Sequence, residues 1–182
     1  MSDYPIHTKQ TAPEGSQEQL AGLERNIGFI PNLAGMIGAS PTAIQGFLAM
    51  QSSLRRAGLT PVEREIVGLT TSYANASAYS MAAHSTFALG AGAAAEVVDA
   101  LRAGDELPDA RLEALHAFTS ELLSERGHVS DAALLEAGYS RENVLEVIAQ
   151  VAYTTFANLV ANLADTPVDE PFAPQAWSAA AA

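Results

Sequence analysis

The chain has 182 residues, enough to bury most of the apolar surface that its unfolded form exposes. Its 21 acidic and 9 basic residues leave a formal charge of -12, which repels phosphate backbones and anionic bilayers and argues against nucleic-acid and membrane partners. Apolar residues make up 48% and charged residues 16%, which fits a packed globule, and the absence of cysteine excludes disulfides, thiolate metal sites and a cysteine nucleophile.

No uninterrupted apolar run approaches the roughly eighteen residues of a membrane span. Met1-Ser2-Asp3-Tyr4-Pro5 has neither the basic head nor the apolar stretch of a signal peptide, so the expected location is the cytoplasm. Strand signals are nearly absent, whereas helix punctuation is frequent. Pro5, Pro13 and Gly15 mark residues 1–15 as an arm lying on something else. Ser16 is placed to cap a helix running to about Asn26, with Gln19 in capping-box position. Pro31 and Pro41 suit first helical turns, the latter capped by Ser40. From there Ile44, Phe47, Leu48, Gln51 and Leu54 recur at helical spacing until Gly58.

Thr60-Pro61-Val62-Glu63 opens a helix expected to bury Val62, Ile66, Leu69 and Tyr73. Asn75-Ala76-Ser77 breaks it, and another helix runs from about Ser77 to Leu89 before Gly90 and Gly92. Further helices are expected from Ala93 to Ala103, from Pro108 to Gly127 and from Ser130 to Gly138. The longest starts at Ser140, with Val144, Ile148, Val151, Thr155, Phe156, Leu159 and Leu163 as its apolar stripe. Gln150, Thr154, Asn158 and Asn162 recur on the same helix as a solvated edge. The reading is all-α: an arm at 1–15, one helical domain at 16–170 and a tail at 171–182 carrying Trp177.

One stretch gathers polar groups on otherwise apolar helices. Ser77, Ser80 and His84 share a helical face, and an antiparallel pairing of the preceding helix returns Glu65 to it. Two readings stand side by side. In the structural one Ser77 caps, Ser80 bonds back to a carbonyl and His84 is a satisfied interface histidine. In the chemical one Ser80 and His84, four residues apart, come within hydrogen-bond reach of each other.

Read as E-x11-S-A-Y-S-x3-H, Glu65 to His84 resembles the signature of the carboxymuconolactone decarboxylase and alkylhydroperoxidase D superfamily, with Ser77 and Ser80 where that family has its C-x-x-C cysteines. Gly28-Phe29-Ile30-Pro31-Asn32, Ser40-Pro41 and Leu59-Thr60-Pro61-Val62-Glu63-Arg64-Glu65 are similar to segments of its peroxidase-related branch, as are Asn158, Asn162 and Ala164-Asp165, which implies that the two asparagines line a subunit or active-site contact instead of a solvated edge. The resemblance spans Asn26 to Asp169. It implies an alkylhydroperoxidase D-like helical fold and a peroxiredoxin-type antioxidant oxidoreductase without a cofactor. In that scheme Ser80 stands at the attacking thiol, Ser77 at the resolving one, Glu65 and His84 form the relay, and Tyr79 lies beside the substrate. The resemblance also implies a homo-oligomer (dimer, trimer or hexamer) acting on a small peroxide or another small substrate.

A serine hydroxyl cannot pass through sulfenic-acid and disulfide steps, so the chain as written should lack thiol peroxidase turnover. Engineered replacement and natural loss both account for the two serines. The alternatives are a non-redox acid–base enzyme like carboxymuconolactone decarboxylase, for which Arg64, Arg55 and Arg56 are the nearby cations, and a catalytically silent oligomeric scaffold. A Ser80-His84-Glu65 hydrolase lacks the G-x-S-x-G elbow and free backbone N–H groups for an oxyanion. The pairs Glu113/His116 and Glu125/His128 fall in one helix, where a di-iron site needs facing helices. Gly90-Ala91-Gly92 follows a helix and is too short to cradle a phosphate.

Overall fold

Thr60 opens the helix around which the rest of the protein is arranged. Its hydroxyl accepts from the Glu63 N–H, and the Glu63 carboxylate accepts from the Thr60 N–H, so two donors of the first turn are satisfied reciprocally. The computed structural model describes residues 4–179, so the first three residues of the arm and the last three of the tail lie outside it. In chain order the helices are α1 (Glu14–Ile27), α2 (Asn32–Ile37), α3 (Pro41–Leu54), α4 (Pro61–Ala74) and α5 (Ala78–Gly90). They continue as α6 (Ala95–Ala103), α7 (Ala110–Ser124), α8 (Ala132–Glu136) and α9 (Arg141–Ala164), followed by a 3₁₀ turn, Glu170–Gln175. The described residues contain no strand, and the fold is all-α.

α4 sits centrally, packing against α5, α6, α7 and α9. On one side Ile66, Leu69, Met81, Leu101, Leu115, Leu134 and Val147 close a core among α4 to α9. On the other, Leu20, Leu33, Ile37, Ile44, Ala82, Ala157 and Phe172 join α1, α2, α3, α5, α9 and the 3₁₀ turn. Each fully buried aliphatic side chain here contributes about 1.5–3 kcal/mol. The second core is incomplete, and the gap in it is the site described below.

Several expectations need correction. α1 begins at Glu14 with Pro13 at its cap, so Ser16 lies inside the helix, fully buried, and Gln19 forms no capping box. α3 stops at Leu54, one turn before Gly58. Tyr73 is exposed and reaches back to the Ala103 carbonyl. The largest reversal is on α9. Ile148, Phe156, Leu159 and Leu163 face outwards, while Gln150, Thr154 and Asn158 are buried against α4 and the cavity, leaving only Asn162 of that ladder exposed. The ladder is satisfied within the protomer: Gln150 donates to Thr154, Ser72 to Asn158, and Asn158 to the Thr71 carbonyl. Small and polar residues allow α9 to approach α4 closely, which large aliphatic ones would prevent.

The described parts of the arm and of the tail are both tied down. The His7 N–H donates to the Gly35 carbonyl, and a side chain at Gly35 would collide with the arm backbone. In the tail, Arg102 donates to the carbonyls of Gln175 and Ala176, Trp177 donates to the Arg102 carbonyl, and Phe172 is buried.

Candidate active site

The short turn at residues 75–77, with Ala76 in the left-handed region (φ 49°), folds α5 back against α4. Glu65 and His84 thereby face each other, and His84 Nδ1 lies 2.7 Å from Glu65 Oε2. An ionised carboxylate only accepts, so Nδ1 carries the proton and Nε2 is left as the basic nitrogen. Gly68, one turn after Glu65, makes this possible. A Cβ there would sit 2.7 Å from Nδ1 and 2.8 Å from Cε1, so the imidazole rests directly on the α4 backbone.

The pair forms part of the wall of a cavity of about 540 Å³ that opens between α3, α4, α5 and α9. Its lining is mostly apolar, with Phe47, Phe87 and Phe172 among the aromatic faces, and Arg55 and Arg64 as its cations. Ser80 lines the cavity but bonds neither to His84 nor to a carbonyl. Ser77 is fully buried away from the cavity; its Oγ has no hydrogen-bond partner, and it does not cap α5 as its position suggested. Tyr79 lines the cavity with its ring while its hydroxyl donates to Asp169 at 2.6 Å, and Asp169 also accepts from the Asn32 N–H. Burial, and then the Asp169 carboxylate, push the Tyr79 phenol well above its ordinary value. Tyr79 is therefore a fixed strut joining α5 to the tail.

Tyr153 goes unread in the sequence, and Gln51 is read there only as part of the helical stripe of α3. Tyr153 stacks on Phe47 with ring centroids 4.7 Å apart, and its oxygen accepts from Gln51 Nε2 at 3.0 Å. The signal was faint: Tyr153 immediately precedes Thr154 of the polar ladder, on the inward face of α9. The other histidines lie elsewhere. His116 bonds to Thr70, Glu113 accepts from the Leu107 N–H, and His7 bonds to the Thr11 carbonyl. Burial lowers the His116 pKa, partly opposed by Glu113. Neither E-x-x-H pair meets a second one, and among the described residues no three His, Asp or Glu side chains are grouped to hold a metal.

The sequence profile of the carboxymuconolactone decarboxylase family matches residues 41–120, a span that contains Glu65, Ser77, Ser80 and His84. Over that span, a little under half of its length, the chain is similar to the carboxymuconolactone decarboxylase family. Solved structures share this helical arrangement across nearly the whole chain. An alkylhydroperoxidase D core, an uncharacterised peroxidase-related protein from Ralstonia eutropha JMP134, superposes with a TM-score of 0.82 at 24% identity, covering 94% of each chain. A peroxidase-related protein from Silicibacter sp. TM1040 gives 0.79 at 18% identity, over 93% of this chain and 92% of that one. The debrominase Bmp8, as a cysteine-to-alanine variant in complex with 2,3,4-tribromopyrrole, gives 0.74 at 19% identity, over 96% and 97%. At these identities the likeness is one of fold. No curated protein matches the sequence. In this fold the chain pairs a hydrogen-bonded Glu65–His84 couple with hydroxyls at positions 77 and 80.

Proposed function

We propose that this is an alkylhydroperoxidase D-like protein that has no thiol peroxidase turnover and acts instead as an acid–base site for a small, mostly apolar molecule. The observation that carries the reading is the 2.7 Å bond between Glu65 and His84 at the wall of the cavity. Peroxide reduction needs a thiolate to attack one oxygen and release the other as alkoxide or hydroxide, then a second thiol to displace water from the sulfenic acid. Ser80 and Ser77 supply neither step, but His84 Nε2 can still take and return a proton, with Glu65 stabilising the imidazolium formed. A silent scaffold would have no use for such a couple at an open cavity. The chemistry fits the space, because an aromatic-walled volume of about 540 Å³ suits a ring-sized ligand. A debrominase of this fold is in complex with a halogenated pyrrole, a ligand of that size class.

The deciding experiment compares the protein with its Ser77→Cys/Ser80→Cys variant, using hydrogen peroxide and cumene hydroperoxide with dithiothreitol as reductant. The expected result is no consumption by the protein and steady consumption by the double variant, abolished again by adding His84→Gln. Peroxide turnover by the unmodified protein would overturn the reading. An inert double variant would detach the site from peroxidase ancestry.

A further inference from the structure

An acid–base site needs more than a base. When a C–H proton leaves, negative charge builds on a neighbouring atom, and a donor fixed in advance at that atom lowers the barrier. On the relay's own two helices the donors that line the cavity are the Ser80 hydroxyl, one turn from His84 on the same helix, and the Arg64 guanidinium, which already donates to the Leu59 carbonyl. The opposite wall offers a further donor.

Tyr153 projects from α9 into the same cavity, its ring held flat against Phe47 with only 17° between the planes. Gln51 Nε2 donates to its oxygen, which occupies a lone pair and fixes the C–O direction. Among the described residues, nothing accepts the phenol's own proton. Tyr79, the other tyrosine of the cavity, is different: its O–H is spent on Asp169. Burial above all, and secondarily the Glu65 carboxylate, push the Tyr153 phenol up against the opposing pull of Gln51 and Arg55, so it stays protonated at neutral pH. Tyr153, Glu65, His84 and Arg55 all line this one cavity.

We propose that Tyr153 is the hydrogen-bond donor of this site, and that the ligand is a ring-sized, mostly apolar carbonyl compound with an acidic C–H next to the carbonyl. The proposal rests on the acid–base reading above. In the step, His84 Nε2 removes the proton, the C–H pair becomes a C=C bond, and the carbonyl π pair moves onto oxygen. The enolate oxygen is held by the Tyr153 O–H beside the Arg55 charge. Return of the proton from His84 to the oxygen completes an enolisation; in a β,γ-unsaturated compound the γ-carbon takes the proton instead and the double bond moves into conjugation, with no oxidant or second reactant consumed in either case.

A phenol mimics the enol and its phenolate the enolate, so 4-nitrophenol is the probe, with its two forms distinguished by absorbance. The protein is expected to bind it and to show the phenolate band at a pH where free 4-nitrophenol is still mostly neutral. Tyr153→Phe keeps the ring on Phe47 and should melt like the parent, yet bind about tenfold or more weakly, as expected for loss of a hydrogen bond to a charged oxygen. His84→Gln should still bind while losing the phenolate band. Equal binding and an unchanged spectrum in Tyr153→Phe would overturn the assignment of Tyr153 and leave the acid–base reading standing. An unchanged band in His84→Gln would overturn that reading alone. No binding by the parent protein would overturn both.

Discussion

Ser77 and Ser80 lie one turn apart but in different surroundings. Ser80 borders the cavity, where ligand or solvent can meet its hydroxyl. Ser77 is fully buried, and its Oγ has no partner. A buried hydroxyl without a hydrogen bond costs about 1–3 kcal/mol, whereas a thiol or methyl in the same place forfeits little, because neither has strong polar hydration to lose. Ser77→Ala should therefore raise stability by about 1 kcal/mol, or roughly 2–4 °C in Tm for a domain of this length. Ser80→Ala should leave Tm unchanged. Thermal unfolding followed by circular dichroism checks both, and a lower Tm in Ser77→Ala would show that its hydroxyl is satisfied in solution. At this scale the sequence was legible wherever partners are close in the chain. Glu65, Ser80 and His84 could be placed on facing helices because a break of a few residues joins those helices. Gln51 and Tyr153 meet across 102 residues, and no local period encodes that contact.

Helix starts were legible for a similar reason. Thr60, Ser40 and Ser140 each accept from the N–H three residues on, an interaction contained within four consecutive residues. Ser16 looked the same in sequence, but the helix takes Pro13 as its cap and Ser16 turns into the core, a choice made by packing. Glu63 goes beyond its capping role. Its carboxylate, 3% exposed, accepts from Thr60 and from Tyr139 at 2.9 Å and pairs with Arg111, whose guanidinium lies 4.0 Å over the Tyr139 ring. One residue thus ties α4 to α7 and to the segment before α9. Burial pushes this carboxyl up, but the hydrogen bonds from Thr60, Arg111 and Tyr139 outweigh it and hold it below the usual carboxylate range. A depressed carboxyl stabilises the fold above its unfolded value, and that contribution fades as pH falls through the folded one. Glu63→Gln should cost about 2 kcal/mol near neutral pH, less than a fully buried pair because Arg111 is half exposed. The Tm difference between protein and variant should then narrow on acidification below about pH 4. A gap independent of pH would show that the carboxylate's charge contributes nothing.

At the scale of the whole molecule, α9 presents an unusual face. Leu145, Leu159 and Leu163 are 68%, 60% and 70% exposed, and Ile148 and Phe156 lie in the same row. Together they leave on the order of 500 Å² of apolar surface, against about 800 Å² buried per partner in a standard interface. The helix is long and apolar enough to cross a membrane by length and composition, with 33% of its most apolar stretch buried inside the protomer. Yet its inward side carries Gln150, Thr154 and Asn158 locked to α4 and the cavity, so it cannot leave the fold without stranding them. The chain carries 21 acids, but none lies on α9 beyond Glu146. A second copy of that face is the partner it suits: the row is charge-free and self-complementary under a twofold axis, while the like charges of two protomers stay at the periphery. We therefore expect a homo-oligomer built on this contact. Sedimentation equilibrium should show association at micromolar concentration that tightens as salt screens the net charge of -12 per protomer. Leu159→Glu with Leu163→Glu should weaken it at least a hundredfold, because four carboxylates would then be buried across the axis. Because Phe156 also touches Phe47, the aromatic wall behind Tyr153, the monomeric variant should bind 4-nitrophenol more weakly as well. A parent protein that stays monomeric, or that sediments with anionic vesicles, would remove the self-association argument. Unchanged association in the double glutamate variant would move the interface to another face.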